Sequence, residues 1–240
     1  MAGIEQDVSG RWGRQQIATG IALAFHISGF IAIGIFKSPL FVALTPLNLL
    51  VSAILIFYTQ QNINISFLIF CLAAFVIGFG AEWVGVNTGV IFGDYKYGTV
   101  LGPAWGGVPF LIGLQWIIVM YCAGVSISMM HQKLLHHRQE GEVKVSKWFL
   151  GLSIVVDGAL LAVLFDWILE PVAVSLGYWT WADGDIPWLN YATWWGVSAV
   201  ILLIFHVLPF RKHNLFAVHL LMIQSMFFLL MRSTGVGIPG

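Results

Sequence analysis

Glu82, Asp94, Asp166 and Glu170 are the side chains of this chain whose type and spacing suit acid–base chemistry. Asp166 and Glu170 are four residues apart, which on a helix places both on one face. Glu82 ends a hydrophobic run and opens a glycine-punctuated aromatic passage, EWVGVNTGVIFGDYKYG, in which Asp94 lies. Ionisable groups in apolar segments are costly and default to functional roles. A carboxyl group withdrawn from water also keeps its proton to higher pH, as a general acid must. The plainer reading, an acid at a helix end facing headgroups or water, suits Asp183 and Asp185. Asp157 lies mid-helix, about 180° around from Asp166 at 100° per residue, and reads as structural, paired with a group such as Asn48 or Gln115.

Aromatic residues gather near these acids: Trp83, Tyr95, Tyr97, Trp105, Trp179 and Trp181, with Trp188, Tyr191, Trp194 and Trp195 beyond. Trp and Tyr collect at both membrane surfaces, yet only Trp12, Tyr58 and Trp148 fall near the other side. The excess points to an aromatic-lined pocket whose π faces suit a polyene or a carbocation. The glycines permit a loop folded tightly against helices.

The elements that position these residues follow from composition. Of 240 residues, 59% are hydrophobic and 9% charged, against about 25% charged in a soluble domain. Such a chain belongs in lipid, where every backbone group must be paired internally and segments cross as helices. Spans need about 20 apolar residues, and seven segments qualify: 17–36, 39–58, 65–84, 107–129, 148–170, 191–210 and 214–232. The expectation is an all-α integral membrane protein. It is a single polytopic domain over 1–240, with a Gly/aromatic-rich loop after the third of about seven transmembrane helices. Pro171 is expected to end the fifth helix. The first run is read as a retained helix, not a signal peptide.

Arg11, Arg14, Lys133, Arg138, Lys144, Lys147, Arg211 and Lys212 fall on the N-terminal side of this layout. Lys37, Lys96 and Arg232 fall on the other. The bias places the N-terminus in the cytoplasm and the C-terminus across the cytoplasmic membrane. Glu82, Asp94, Asp166 and Glu170 then converge on the side that Lys and Arg avoid.

Several function classes are set aside. Net charge is zero with only short basic clusters, which argues against nucleic acid. Cys71 and Cys122, both in apolar runs, suggest neither a disulfide framework nor a metal site. There is no nucleotide-binding glycine motif, and the seventh helix has no lysine for a retinal Schiff base. His131, His136, His137, His206, His213 and His219 carry an H-x4-H-H spacing faintly like di-iron oxygenase boxes. They are too few for such a site, and His26 in the first span is poorly placed to help.

The run G-F-x-x-E-W-x-G-V-x-T-G-x-x-F-G-x-Y-x-Y-G-x-x-L-G-P-x-x-x-G-V-P, from Gly78 to Pro109, resembles the carotenoid biosynthesis membrane protein family. A second block, D-W-I-L-E-P-V-A-V-S-L-G-Y-W-T-W from Asp166 to Trp181, followed by I-P-W-L-N-Y from Ile186 to Tyr191, looks like the same family. Characterised members are hydratases of acyclic carotenoid ends, of the carotenoid 1',2'-hydratase and bisanhydrobacterioruberin hydratase type. In that family Asp is usual where this chain has Glu170.

The resemblance implies acid-catalysed addition of water to a terminal C=C, giving a tertiary alcohol without a redox cofactor or a metal. The substrate would be a lipid-soluble carotenoid of the lycopene or γ-carotene class, entering from the bilayer. Association with other carotenoid enzymes is also expected. On this reading Glu82 or Asp166 donates the proton, and Glu170 or Asp94 orients and deprotonates the water. Asn190 and Thr88 help to hold the water, while Trp83, Tyr95, Tyr97, Trp105, Trp179 and Trp181 line the pocket. The same residues would serve a lycopene cyclase-type isomerase, in which a double bond captures the cation. A carotenoid-binding protein without catalysis is the non-enzymatic alternative.

Overall fold

The computed structural model describes residues 13–136 and 146–236. Arg11, Trp12, His137, Arg138 and Lys144, which the sequence reading used, lie outside them. Eight α-helices carry the described chain: α1 Arg14–Gly29, continued by a π-helical segment Phe30–Ile35, α2 Pro39–Ala43, α3 Thr45–Thr59, α4 Ile65–Thr88, α5 Phe110–His136, α6 Lys147–Ser175, α7 Trp188–Val207 and α8 Leu215–Ser233. Six stretches are long and apolar enough to cross a membrane: Arg14–Ile35, Ile65–Thr88, Phe110–Leu135, Trp148–Ser175, Trp188–Val207 and Leu215–Ser233.

The second of the seven expected spans, 39–58, is broken instead. Leu44 separates α2 from α3, and Pro46 sits in the first turn of α3. Proline cannot donate to the preceding turn and crowds it, so a continuous helix is interrupted there. The 15 residues of α3 rise about 22 Å, short of a hydrocarbon core of about 30 Å.

Pro171 does not end its helix. Helix α6 runs on to Ser175, because membrane helices tolerate the single hydrogen bond a proline removes. The stop comes at Gly177, in the left-handed region at φ 72°, where Leu176 N–H reaches Val172 O at 2.9 Å and Tyr178 N–H reaches Ala173 O at 2.9 Å. Helix α4 has clear ends of its own. Asn64 accepts from Phe67 N–H at 2.9 Å, and Gly89 closes the C-terminus.

Helix α5 is the central pillar: 72% of its apolar stretch is buried, against 33–39% in the other spans. It packs against α3, α4, α6, α7 and α8. At the end of the bundle where α3 finishes, polar side chains tie the helices together. Asn214 donates to Thr59 Oγ1 at 3.0 Å and to Tyr121 OH at 3.1 Å, Tyr121 OH bonds Gln60, and Gln60 donates to Arg211 O at 3.1 Å. Buried polar chains of this kind hold helices in register where lipid supplies no hydrophobic drive.

The opposite end is closed by the two glycine- and aromatic-rich loops. Strand β1 (Tyr95–Tyr97) pairs antiparallel with β4 (Trp179–Trp181), while β2 (Ala104–Trp105) and β3 (Val108–Pro109) form a small hairpin. Tyr95 pairs with Trp181 and Tyr97 with Trp179. Alternation along a strand therefore puts these four rings on one face, with Lys96 and Thr180 on the other. Gly98 lets the loops meet: its N–H donates to Tyr178 O at 2.8 Å, and a Cβ there would lie 2.2 Å from Gly177 O.

Candidate active site

Three carboxyl groups are sunk beneath the β1–β4 ribbon. Glu82 from α4 and Asp166 and Glu170 from α6 are all buried. Each glutamate is met by three neutral donors. Glu82 Oε2 accepts from the hydroxyls of Tyr95 and Tyr97, the latter at 2.7 Å, and its Oε1 accepts from Trp116 Nε1–H at 3.1 Å. Glu170 Oε2 accepts from the indoles of Trp179 at 2.9 Å and Trp181 at 3.1 Å, and its Oε1 accepts from Asn190 at 3.2 Å.

Asp166 is different. Asn190 donates to its Oδ2 at 2.8 Å. Its Oδ1 is buried and has no hydrogen-bond partner among the described residues. The Asn190 amide thus bridges Asp166 and Glu170, the pair that i,i+4 spacing sets on one face of α6.

These groups share a cavity of about 470 Å³. Its acid end carries Tyr95, Tyr97, Trp179, Trp181 and Asn190. Trp116 closes the floor, stacked on Trp194 with ring centroids 4.1 Å apart. The cavity then runs between α1, α3 and α8, past His26, Asn48, Gln115, Gln224, Phe227 and Phe228. Its rim includes Phe25 and Ser28 of α1 and Leu44 and Leu47 of the α3 region, all exposed on the flank of the bundle. An apolar chain can therefore reach the acids sideways.

The phenols over the acids are held protonated. Burial first, then the neighbouring Glu82 charge, pushes Tyr95 and Tyr97 well above the ordinary phenol value. Burial pushes Tyr178, which is bonded to Thr45 at 2.7 Å, up to about 12. Each stays protonated through the physiological range, and Tyr95 and Tyr97 remain donors to Glu82.

Other expected site residues sit elsewhere. Asp94 is exposed and outside the cavity lining, because its place just before β1 turns it away from the ring-bearing face. Thr88 is exposed, its hydroxyl spent on Val84 O at 2.6 Å. Trp83 and Trp105, both exposed, stack on one another at 6.0 Å, and the buried Phe79 stacks on Trp105 from the core side. Asp157 bonds neither Asn48 nor Gln115. Ser153, one turn earlier on the same helix and therefore nearer, donates to it, and His131 lies 2.9 Å from the Ser153 hydroxyl. His219 bonds Thr19 at 2.9 Å on another face of the bundle. Among the described residues no group of three or more His, Cys, Asp or Glu is arranged to hold a metal ion.

The sequence reading missed Trp116, Gln224 and the place of His26, while Trp194, named there among the aromatic residues, does line the cavity. His26 lines the cavity, with Nδ1 2.7 Å from Ala22 O. Gln224 carried a usable signal, since a polar side chain amid an apolar span is itself a functional pointer. Trp116 carried none, being one more large apolar residue in an apolar helix.

Residues 43–238, well over half of the chain, match the family model described as carotenoid biosynthesis protein. A bisanhydrobacterioruberin hydratase from Haloarcula japonica is 30% identical over 138 residues, which make up 56% of this chain and 43% of that protein. The chain thus spans less than half the length of the curated relative it matches. No solved structure matches the chain.

Proposed function

The chain belongs to the carotenoid biosynthesis protein family, and from that premise we propose that it is a hydratase adding water across the terminal C=C of an acyclic carotenoid end. The observation that carries this reading is Asp166 Oδ1, an unpartnered acid oxygen in an aromatic cavity open to the lipid flank. The oxygens of Glu82 and Glu170 are already occupied by donors, so Asp166 is the group free to hand over a proton.

In this mechanism the Asp166 proton adds to the less substituted carbon of the alkene, and the π pair becomes the new C–H bond. The adjacent carbon becomes a tertiary cation, stabilised by the rings of Tyr95, Tyr97, Trp179 and Trp181. Water attacks the cation through an oxygen lone pair and forms the C–O bond. The surplus proton passes to the Asp166–Glu170 pair, which restores the acid. Glu82 and its three donors fix the ring-bearing wall.

The substrate class proposed is a lycopene- or γ-carotene-type polyene, entering between α1 and α3. The distribution of Arg14, Lys133, Lys147, Arg211 and Lys212 against Lys37, Lys96 and Arg232 supports a cytoplasmic N-terminus in the cell membrane. It leaves the acids at the far face, and other carotenoid enzymes remain proposed partners.

The test is expression in a lycopene- or γ-carotene-producing host grown in ¹⁸O-labelled water under ordinary oxygen. The expected product is heavier than its precursor by one water and carries the label in a tertiary hydroxyl. An unlabelled hydroxyl means that oxygen came from O2, and a product isomeric with the precursor means cyclisation. Unaltered pigment leaves a binding role.

A further inference from the structure

The acid cluster leaves a second polar set in the same cavity without a task. Gln224 on α8 is buried, and Gln115 on α5 lines the same cavity. The Oε1 atoms of both are buried and unpartnered, and among the described residues neither side chain makes a hydrogen bond to protein. Burying an unpaired amide costs about 1–3 kcal/mol, so two in one cavity, which Asp166 with its equally unpartnered Oδ1 also lines, need a ligand that brings donors. Phe228, one turn after Gln224 on α8, packs on Phe165, the neighbour of Asp166, with ring centroids 6.0 Å apart, so Gln224 stands about one turn along the cavity from the acid. Helices α6 and α8 pack against each other.

We propose that Gln224 and Gln115 form the station that holds the attacking water, an assignment that rests on the hydratase reading above. An amide oxygen suits this task. It accepts an O–H of the water and leaves the oxygen lone pair free to point at the cation. It does not take a proton at neutral pH. A carboxylate in that place would remove a proton from a carbon next to the cation and return an alkene. Separating the water station from the acid therefore favours capture over elimination. Both glutamines are positioning residues, acting through the water they orient.

The partition of the cation supplies the test. Gln224→Met keeps the side chain's length and removes its polar atoms; Gln115→Met is the second variant. Each is assayed in D2O against the unaltered protein with the same polyene. Protonation without capture leaves a trace, because the cation formed with a deuteron loses a proton and regenerates a deuterated alkene of the same skeleton. The expected result is a fall in hydrated product of roughly tenfold or more, with deuterium accumulating in the terminal alkene carbons of recovered substrate. Gln224→Asn should restore part of the hydration.

Undiminished hydration in both methionine variants overturns the water station and leaves the hydratase reading standing. Parallel loss of hydration and deuterium exchange also overturns it, assigning the glutamines to protonation or to the fold. Failure of the unaltered protein to hydrate overturns both readings together.

Discussion

Gly78 and Trp116 are in such close contact that a Cβ on the glycine would lie 2.2 Å from Trp116 Cγ and 2.6 Å from its Cβ. Glu82 stands one turn beyond Gly78 on the same face of α4, and Trp116 Nε1–H donates to it at 3.1 Å. The missing side chain at 78 is thus what lets an indole from α5 reach a buried acid on α4. The same indole stacks on Trp194, so one small residue sets the floor of the cavity.

Gly78→Ala should lower thermal stability in detergent by about 1–3 kcal/mol, the usual cost of overpacking. It should reduce hydration further than that loss explains, because Trp116 must move off Glu82. Gly80→Ala is the control, since a Cβ at 80 meets nothing within 4 Å. Equal behaviour of the two variants in melting and product assays would remove Gly78 from the site's construction.

The carboxylates should rank by their surroundings. Asp166→Asn should cut product formation by about 10²–10⁴-fold, the typical contribution of a positioned acid, while the protein still inserts and binds pigment. Asp94→Asn should retain near-normal activity, since Asp94 is exposed and away from the cavity. Pigment analysis by mass checks both, and an active Asp166→Asn would transfer the donor role to Glu82 or Glu170.

The buried phenols give a pH signature. Tyr95 and Tyr97 are raised above the ordinary phenol value, and Tyr178 is raised to about 12, whereas an unfolded tyrosine ionises near 10. The unfolded chain therefore releases these protons first as pH rises. The stability they contribute is complete below about pH 10 and is lost as pH climbs through the folded values. Tyrosinate absorbance of the folded protein should follow the same curve up to about pH 11 in Tyr95→Phe, Tyr97→Phe and Tyr178→Phe as in the unaltered chain. A smaller rise in any variant below that pH would mean that its phenol is open to solvent.

Much of the site was legible in one dimension. Scarcity of charge demands helices in lipid, and alternating helix direction carries Glu82, Asp166 and Glu170 to one end of the bundle. The four-residue spacing of Asp166 and Glu170 puts them on one face, where Asn190 now bridges them. These are consequences of local periodicity and of a solvent that tolerates no unpaired backbone, and both act along the chain itself. Tertiary structure alone decided the rest. Tyr95 faces Trp181 because strands more than 80 residues apart in sequence pair in one register. Trp116 meets Glu82 because α5 packs against a glycine on α4, and Asp94 turns outward because the ribbon presents its other face to the cavity. Periodicity assigns each residue a face of its own helix or strand. How those faces turn toward one another depends on side-chain packing and hydrogen bonds between distant segments, and that packing decides which acids, rings and amides share the cavity.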